Sequence, residues 1–381
     1  MSAHGSASPE RLDALEGIRG IAALVVFAFH LTWRSPVFRD AVGPVSGHFD
    51  TGVEVFFLMS GFLIFRPFAK AIVERGPFPD TPRYIARRAA RVWPGYLVAL
   101  GVIIALGIAD IHGFTGFLKQ ASLTFLYFHD RGGVALTLAW TLVVEISFYA
   151  FVPVIARVLR VTGGRLLEVS ILCVGVGAFA QVYVAHHQDT PLWLRILPPA
   201  MLSLGLGMLF ASVRSLGPRA GGVGAALRWV AARPLLPLGV AALAFAALAW
   251  VVPAASDVWK RPDERALKEI LQAVIAAGVT FPVMLSSGVP DRLQRTLANR
   301  HIAYIGTISF GFYLWHIPVL GRFERLLVSD RPALAVLGWM GALLCSLALA
   351  AASWHLIELP ATKAVGRRIA ARPAADPDRA G

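Results

Sequence analysis

Apolar residues along this chain gather in blocks of about 17 to 22 positions, the length a helix needs to cross the hydrocarbon of a bilayer. Bounded by charged or Pro/Gly-rich breaks, the blocks predict ten spans, at 18–33, 52–69, 92–109, 138–157, 166–185, 192–213, 234–252, 268–287, 302–320 and 333–354. The stretch 114–128 is also apolar enough to lie on or partly in the membrane, and an eleventh span would invert part of the topology. Basic residues arbitrate. With both termini in the cytoplasm and each Lys or Arg assigned to its nearer loop, 24 fall inside and 12 outside, the bias that orients membrane helices. The expected fold is therefore an all-α polytopic membrane protein of about ten transmembrane helices, multi-pass in the plasma membrane, with both termini cytoplasmic. Residues 1–17 read as a cytoplasmic N-terminal segment, 18–359 as one transmembrane domain, and 360–381 as a basic, disordered cytoplasmic tail.

Composition sharpens this picture. The chain is 56% hydrophobic and 15% charged, against about a quarter charged in soluble domains, which excludes a soluble enzyme. A net charge of +13 could signal nucleic acid, an anionic membrane or an anionic ligand. Much of the excess falls in inside loops, as Arg214, Arg219, Arg228 and Arg233 and, in the tail, Lys363, Arg367, Arg368 and Arg372. These read as topology signals, and no nucleic-acid partner is expected. Glu10, Arg11, Asp13 and Glu16 precede the first span without a basic n-region, and no A-x-A site follows it, so that span is expected to be retained. Cys173 and Cys345 lie in apolar blocks without C-x-x-C or metal-ligand spacing, so neither a disulfide framework nor a metal site is expected.

Ionisable residues inside spans are costly and mark candidate chemistry. The first span carries Arg19 and, eleven residues on, His30; eleven steps of 100° bring both to one helical face about 16 Å apart in depth. The second span carries Glu54 at much the same depth as His30, a histidine and carboxylate pair suited to general acid–base work. The fourth contributes Trp140, Glu145 and Tyr149, and the ninth Tyr313 and His316, although His316 beside Trp315 also suits an interfacial anchor. Ser60 in S-G-F reads as a small residue for close helix packing, since no nucleophile-elbow context surrounds it. Before the third span, Arg83, Arg87, Arg88 and Arg91 recur at three- and four-residue spacings on one helical face, an arrangement that binds phosphate.

Together these motifs resemble the integral-membrane acyltransferase-3 family over about residues 11 to 360. The resemblance rests on LDALEGIRGIAALVVFAFH with its R-x10-H spacing, GVEVFFLMSGFLI, the R-x-x-R-x-x-P stretch RAARVWP, AWTLVVEISFY, and ISFGFYLWHIP. Where many relatives carry a second carboxylate after Glu145, this chain has Ile146. The resemblance implies transfer of an acyl group from acyl-CoA, bound at the cytoplasmic face, to a hydroxyl of a sugar-containing acceptor. Acetyl-CoA or another short-chain acyl-CoA is the expected donor, and the acceptor a cell-envelope glycan, a glycolipid or a glycosylated antibiotic such as a macrolide. On this reading His30, Glu54 and Glu145 are catalytic, His30 acting as general base or transient acyl carrier. Arg19, Arg83, Arg87, Arg88 and Arg91 hold the donor, and Trp140, Tyr149, Tyr313 and His316 line the acceptor site. A carrier or flippase for a lipid-linked or anionic glycoconjugate would also use buried charge, as a proton relay, and separates from the transferase by having no need of CoA.

Overall fold

The computed structural model describes residues 9–109, 111, 113–127, 136–187, 189–252, 261–286 and 292–371, and among these every regular element is helical. Helices α1 (Pro9–Arg34), α2 (Pro36–Ser46), α3 (Thr51–Val73), α4 (Thr81–Ala105) and α5 (Gly113–Ala121) are followed by α6 (Trp140–Val161), α7 (Leu166–His186), α8 (Leu192–Leu216), α9 (Gly221–Ala231), α10 (Leu235–Val251) and α11 (Pro262–Leu285). The chain closes with α12 (Arg292–Leu297), α13 (Arg300–Thr307), α14 (Ser309–Arg322), α15 (Glu324–Leu327), α16 (Pro332–Ser353) and α17 (Leu359–Ala371), the last two joined by a π-helical turn at Trp354–Glu358.

Among the described residues, α1, α3, α4, α6, α7, α8, α11 and α16 are long and apolar enough to cross a membrane, and α13 with α14 makes a ninth candidate bent by 70°. The 17-residue apolar α10 covers the remaining expected block, at 234–252. The stretch 114–128 does not span. It folds as the nine-residue α5 and a 3₁₀ turn at Phe125–Tyr127, and nine residues rise only about 14 Å where the hydrocarbon needs about 30 Å. Residue 128 lies outside the described residues.

Close packing rests on small residues, as association in lipid requires. A Cβ on Gly61 would sit 2.1 Å from the Leu204 carbonyl oxygen, and one on Gly207 2.1 Å from that of Leu58, so α3 and α8 meet backbone to backbone. In the S-G-F stretch it is Gly61 that makes the close contact, whereas Ser60, expected as the packing residue, lines an inner cavity and donates toward Glu145. A Cβ on Gly306 would sit 1.7 Å from the Glu16 oxygen and one on Gly17 2.0 Å from the Leu297 oxygen, pressing α13 and the end of α12 onto the start of α1. That contact accounts for the bend before α14, where no proline stands: α13 follows α1 while α14 turns to pack on α16.

The first turns of α1 and α4 and all of α17 lie at one end of the bundle, where Arg19, Arg91 and Glu358 face one another. The segment after Leu359, expected as disordered tail, is helical through Ala371 and packs against α4. An isolated 13-residue helix is marginal in water, and it is tertiary contact with α4 that holds this one; residues 372–381 lie outside the described residues. Helix α1 likewise begins at Pro9, eight or so residues before its apolar block.

Candidate functional site

Two cavities meet at Arg88 and Arg91. The one nearer the chain ends holds about 650 Å³ and is partly open to solvent, against Arg83, Tyr84, Arg87 and α17. The deeper one holds about 160 Å³ and runs between α1, α3, α4, α6 and α14, past Arg19, Ser60 and Glu145 to Thr141 and Tyr313. The outer one falls within the roughly 300–1000 Å³ of small-molecule sites, and the inner one is narrower.

Helix α4 builds the junction. Asp80 accepts a hydrogen bond from the Arg83 backbone N–H at 2.9 Å and so caps the helix start, which sets the arginines of the following turns on the cavity side. The Arg88 guanidinium stands 5.7 Å from the Tyr84 centroid and 5.5 Å from that of Tyr149, an arrangement that attracts the cation. Tyr149 in turn donates to Glu145 Oε1 at 2.6 Å, and Ser60 Oγ reaches the same oxygen at 3.4 Å. Glu145 therefore holds Tyr149, which holds Arg88. Arg19 is clamped by Glu16, its Nη1 lying 3.0 Å from both carboxylate oxygens. Arg83 and Arg87 line only the outer cavity.

Beyond the deep end lies the histidine. His316 places Nδ1 at 3.1 Å from the Phe312 oxygen and 2.9 Å from the Tyr313 oxygen, so Nδ1 carries the proton and Nε2 is bare. That bare Nε2 lies 3.3 Å from His30 Nδ1, which also lies 2.9 Å from the Val26 oxygen. With acceptors on both sides, His30 Nδ1 must be the protonated nitrogen, and His30 Nε2 is left as a base with no hydrogen bond among the described residues. Phe29 packs edge-on to the His30 ring at 5.1 Å. The tyrosine between cavity and histidines is also fixed: the Tyr313 hydroxyl donates to the Leu138 carbonyl and lies 2.6 Å from Thr141 Oγ1.

Other expectations find different partners. Glu54 does not pair with His30 among the described contacts; it accepts from Ser203 Oγ and faces Glu269, Asp50 and Lys268. Asp50 is bound by Lys268 Nζ at 2.5 Å and Gln272 Nε2 at 2.6 Å, so this group ties α3 to α11 and α8. His48, buried in the turn before α3, has its pKa held below the ordinary imidazole value, first by burial and then by the Lys268 ammonium. Trp140 is 41% exposed and packs edge-on to Phe57 at 6.0 Å, outside the cavity wall. His316 is 1% exposed, which removes the interfacial-anchor reading.

Sequence reasoning missed Glu358. Its carboxylate is buried at the π turn, accepts from Ser353 Oγ at 2.8 Å, and faces Arg91 and Arg19. It fits between α4 and α14 because Gly311 lacks a side chain: a Cβ there would stand 3.1 Å from Oε1. An acid closing the last apolar block was the available signal. Thr141, Ser309 and Tyr84, which line the cavities, carried none beyond being polar on an apolar helix. Among the described residues no set of three His, Cys, Asp or Glu side chains converges as a metal would require.

A family model described as "Acyltransferase domain" matches residues 12–355, nearly the whole chain. The chain belongs to the acyltransferase-3 family. Among its relatives, a putative membrane-bound transacylase, BcsY, of Komagataeibacter xylinus is 24% identical over 80% of this chain and 72% of its own length. The acyltransferase MdmB of Streptomyces mycarofaciens is 26% identical over 96% of both chains. A putative O-acetyltransferase of Staphylococcus aureus is 22% identical over 92% of this chain and 57% of its own. No solved structure matches it. The protein is thus a multi-pass membrane acyltransferase.

Proposed function

We propose that this acyltransferase moves a short acyl group, such as acetyl, from acyl-CoA to a hydroxyl of a sugar-containing acceptor, with His30 Nε2 as the base. The observation that carries the reading is that a basic outer cavity and an inner one, which reaches Tyr313 beside the His30–His316 pair, share Arg88 and Arg91 in their walls. Phosphates of the donor dock at the arginine mouth on the cytoplasmic side, and the pantetheine arm follows the inner cavity past Arg19 and Ser60. The acceptor is taken as a glycoconjugate because the family resemblance implies one; the O-acetyltransferase relative supports a hydroxyl.

In the transfer, the acceptor oxygen attacks the thioester carbonyl as its proton passes to His30 Nε2. The C–O bond forms, the C–S bond breaks, and the same proton passes on to the departing thiolate. Hydrogen bonds from Nδ1–H to the Val26 carbonyl and toward His316 Nε2 hold the ring in the required tautomer and share the positive charge that develops. Such base catalysis contributes roughly a hundred- to ten-thousandfold. The protein purified in detergent should bind acetyl-CoA and hydrolyse its thioester slowly. Arg88→Ala/Arg91→Ala should lose binding, and His30→Asn should lose hydrolysis while still binding donor. Absence of acyl-CoA binding in the wild-type protein at every chain length would end the donor reading.

A further inference from the structure

The outer cavity has a wall that the donor's phosphates do not explain. Opposite the α4 arginines stand Thr362 and Gly366, four residues apart and so on one face of α17. Gly366 is exposed, and a Cβ added there would meet no heavy atom within 4 Å, so its face is open to the cavity. At the base of the same cavity the Tyr84 side chain is 8% exposed and its hydroxyl is buried without a hydrogen-bond partner, an arrangement that is costly unless something supplies one. Tyr84 packs edge-on to Phe68 at 5.3 Å and under Arg88, which fixes the direction of the hydroxyl.

Resting on the acyl-CoA reading above, we propose that α17 is the second wall of a nucleotide subsite. The 3′-phosphorylated adenosine diphosphate end of the donor lies between the arginine face of α4 and the Thr362–Gly366 face of α17. Three features fit that ligand class. The cavity, at about 650 Å³, lies within the size range of small-molecule sites and can take a nucleotide-sized group. Its cations, Arg83, Arg87, Arg88 and Arg91, suit a group with several phosphates rather than one. Pro67 and Pro79 give the wall an apolar part against which a purine can lie. The position of α17 is set from within the bundle, since the π turn that precedes it is anchored by the buried Glu358. Lys363, Arg367 and Arg368 add positive potential at the rim of the helix.

The test compares two donors. Acetyl-CoA carries the nucleotide; acetyl-4′-phosphopantetheine carries the same thioester and arm without it. Gly366→Trp places a ring in the open cavity and should weaken acetyl-CoA binding at least tenfold while leaving the Kd of acetyl-4′-phosphopantetheine and the thermal midpoint unchanged. Ala371→Trp, nine residues from Thr362 and so on the opposite face of α17, should change neither. Adenosine 3′,5′-bisphosphate should compete with acetyl-CoA in the wild-type protein and not in Gly366→Trp.

Unchanged acetyl-CoA affinity in Gly366→Trp, with Ala371→Trp also silent, overturns the α17 wall and leaves the donor reading standing. An equal loss for both donors places α17 on the arm's path instead and also overturns the proposal. Failure of the wild-type protein to bind either donor removes the donor reading and this one with it. If anionic phospholipid vesicles displace bound nucleotide fully and adenosine 3′,5′-bisphosphate does not, the cavity holds a lipid headgroup.

Discussion

Replacing His30 by Asn tests the assignment of the base at one atom. Asn keeps an N–H near the position of Nδ1, so the hydrogen bond to the Val26 oxygen, 2.9 Å in the native protein, survives and the helix is not left with a cavity. Only the bare Nε2 is lost. The expected loss in transfer is between about a hundred- and ten-thousandfold, the worth of a positioned general base. His316→Asn supplies the contrast: its amide can still donate to the Phe312 and Tyr313 carbonyls, and what disappears is Nε2, a neutral acceptor 3.3 Å from His30 Nδ1. A neutral hydrogen bond of that kind contributes about 1 kcal/mol net, or roughly fivefold in rate. Glu54→Gln should fall within about twofold of wild type, because a carboxamide oxygen still accepts from Ser203 and no described contact joins Glu54 to His30. Thiol release from acetyl-CoA in detergent, with donor Kd measured alongside, reads all three. A Glu54→Gln loss equal to that of His30→Asn would refute the tautomer argument, as would retention of more than a tenth of wild-type activity in His30→Asn.

Arg88→Lys should weaken the cation–π contacts with Tyr84 and Tyr149 and remove the guanidinium's bidentate fork, worth roughly 1–2 kcal/mol when desolvated, and so weaken donor binding about 5- to 30-fold in a titration. Glu358→Gln keeps the Ser353 bond but removes the charge facing Arg91 and Arg19; donor affinity should change several-fold while the thermal midpoint moves little. Gly61→Leu would drive a side chain into the Leu204 carbonyl, now 2.1 Å from where a Cβ would sit, and should cost about 3 kcal/mol or more, read as a fall in thermal midpoint and in folded yield. Lys268→Met strips the cation from Asp50, whose side chain is 25% exposed, and should destabilise by about 3 kcal/mol; adding Asp50→Asn should restore much of the loss, and additivity of the two would show that they do not interact.

Helix class and the position of most apolar blocks were legible in the sequence because the bilayer imposes them. Each polar backbone group must be satisfied within its own segment, so an apolar block of span length has helix as its one low-cost state. Residues whose role depends on depth were legible for the same reason: Arg19, Arg88, Arg91 and Glu145 line the cavities, and Tyr149 holds Arg88 at their junction, as their positions along the blocks suggested. Partners were not. Glu54 and His316 both share the depth of His30, and depth leaves the rotation of each helix about its axis free.

That rotation is a property of packing, and only the tertiary structure decides it. Gly61 and Gly207 lock α3 onto α8, which turns Glu54 toward Ser203. Gly306 and Gly17 lock α13 onto α1, and the 70° bend that follows brings His316 to His30. The same holds for the chain after Leu359. Its Ala- and Arg-rich composition permits helix or coil alike, and contact with α4 selects the helix that walls the outer cavity. The sequence by itself determined the helical membrane class, the apolar blocks and the family; the fold decided which charges touch, because contact between helices depends on azimuth and close approach, which no single segment encodes.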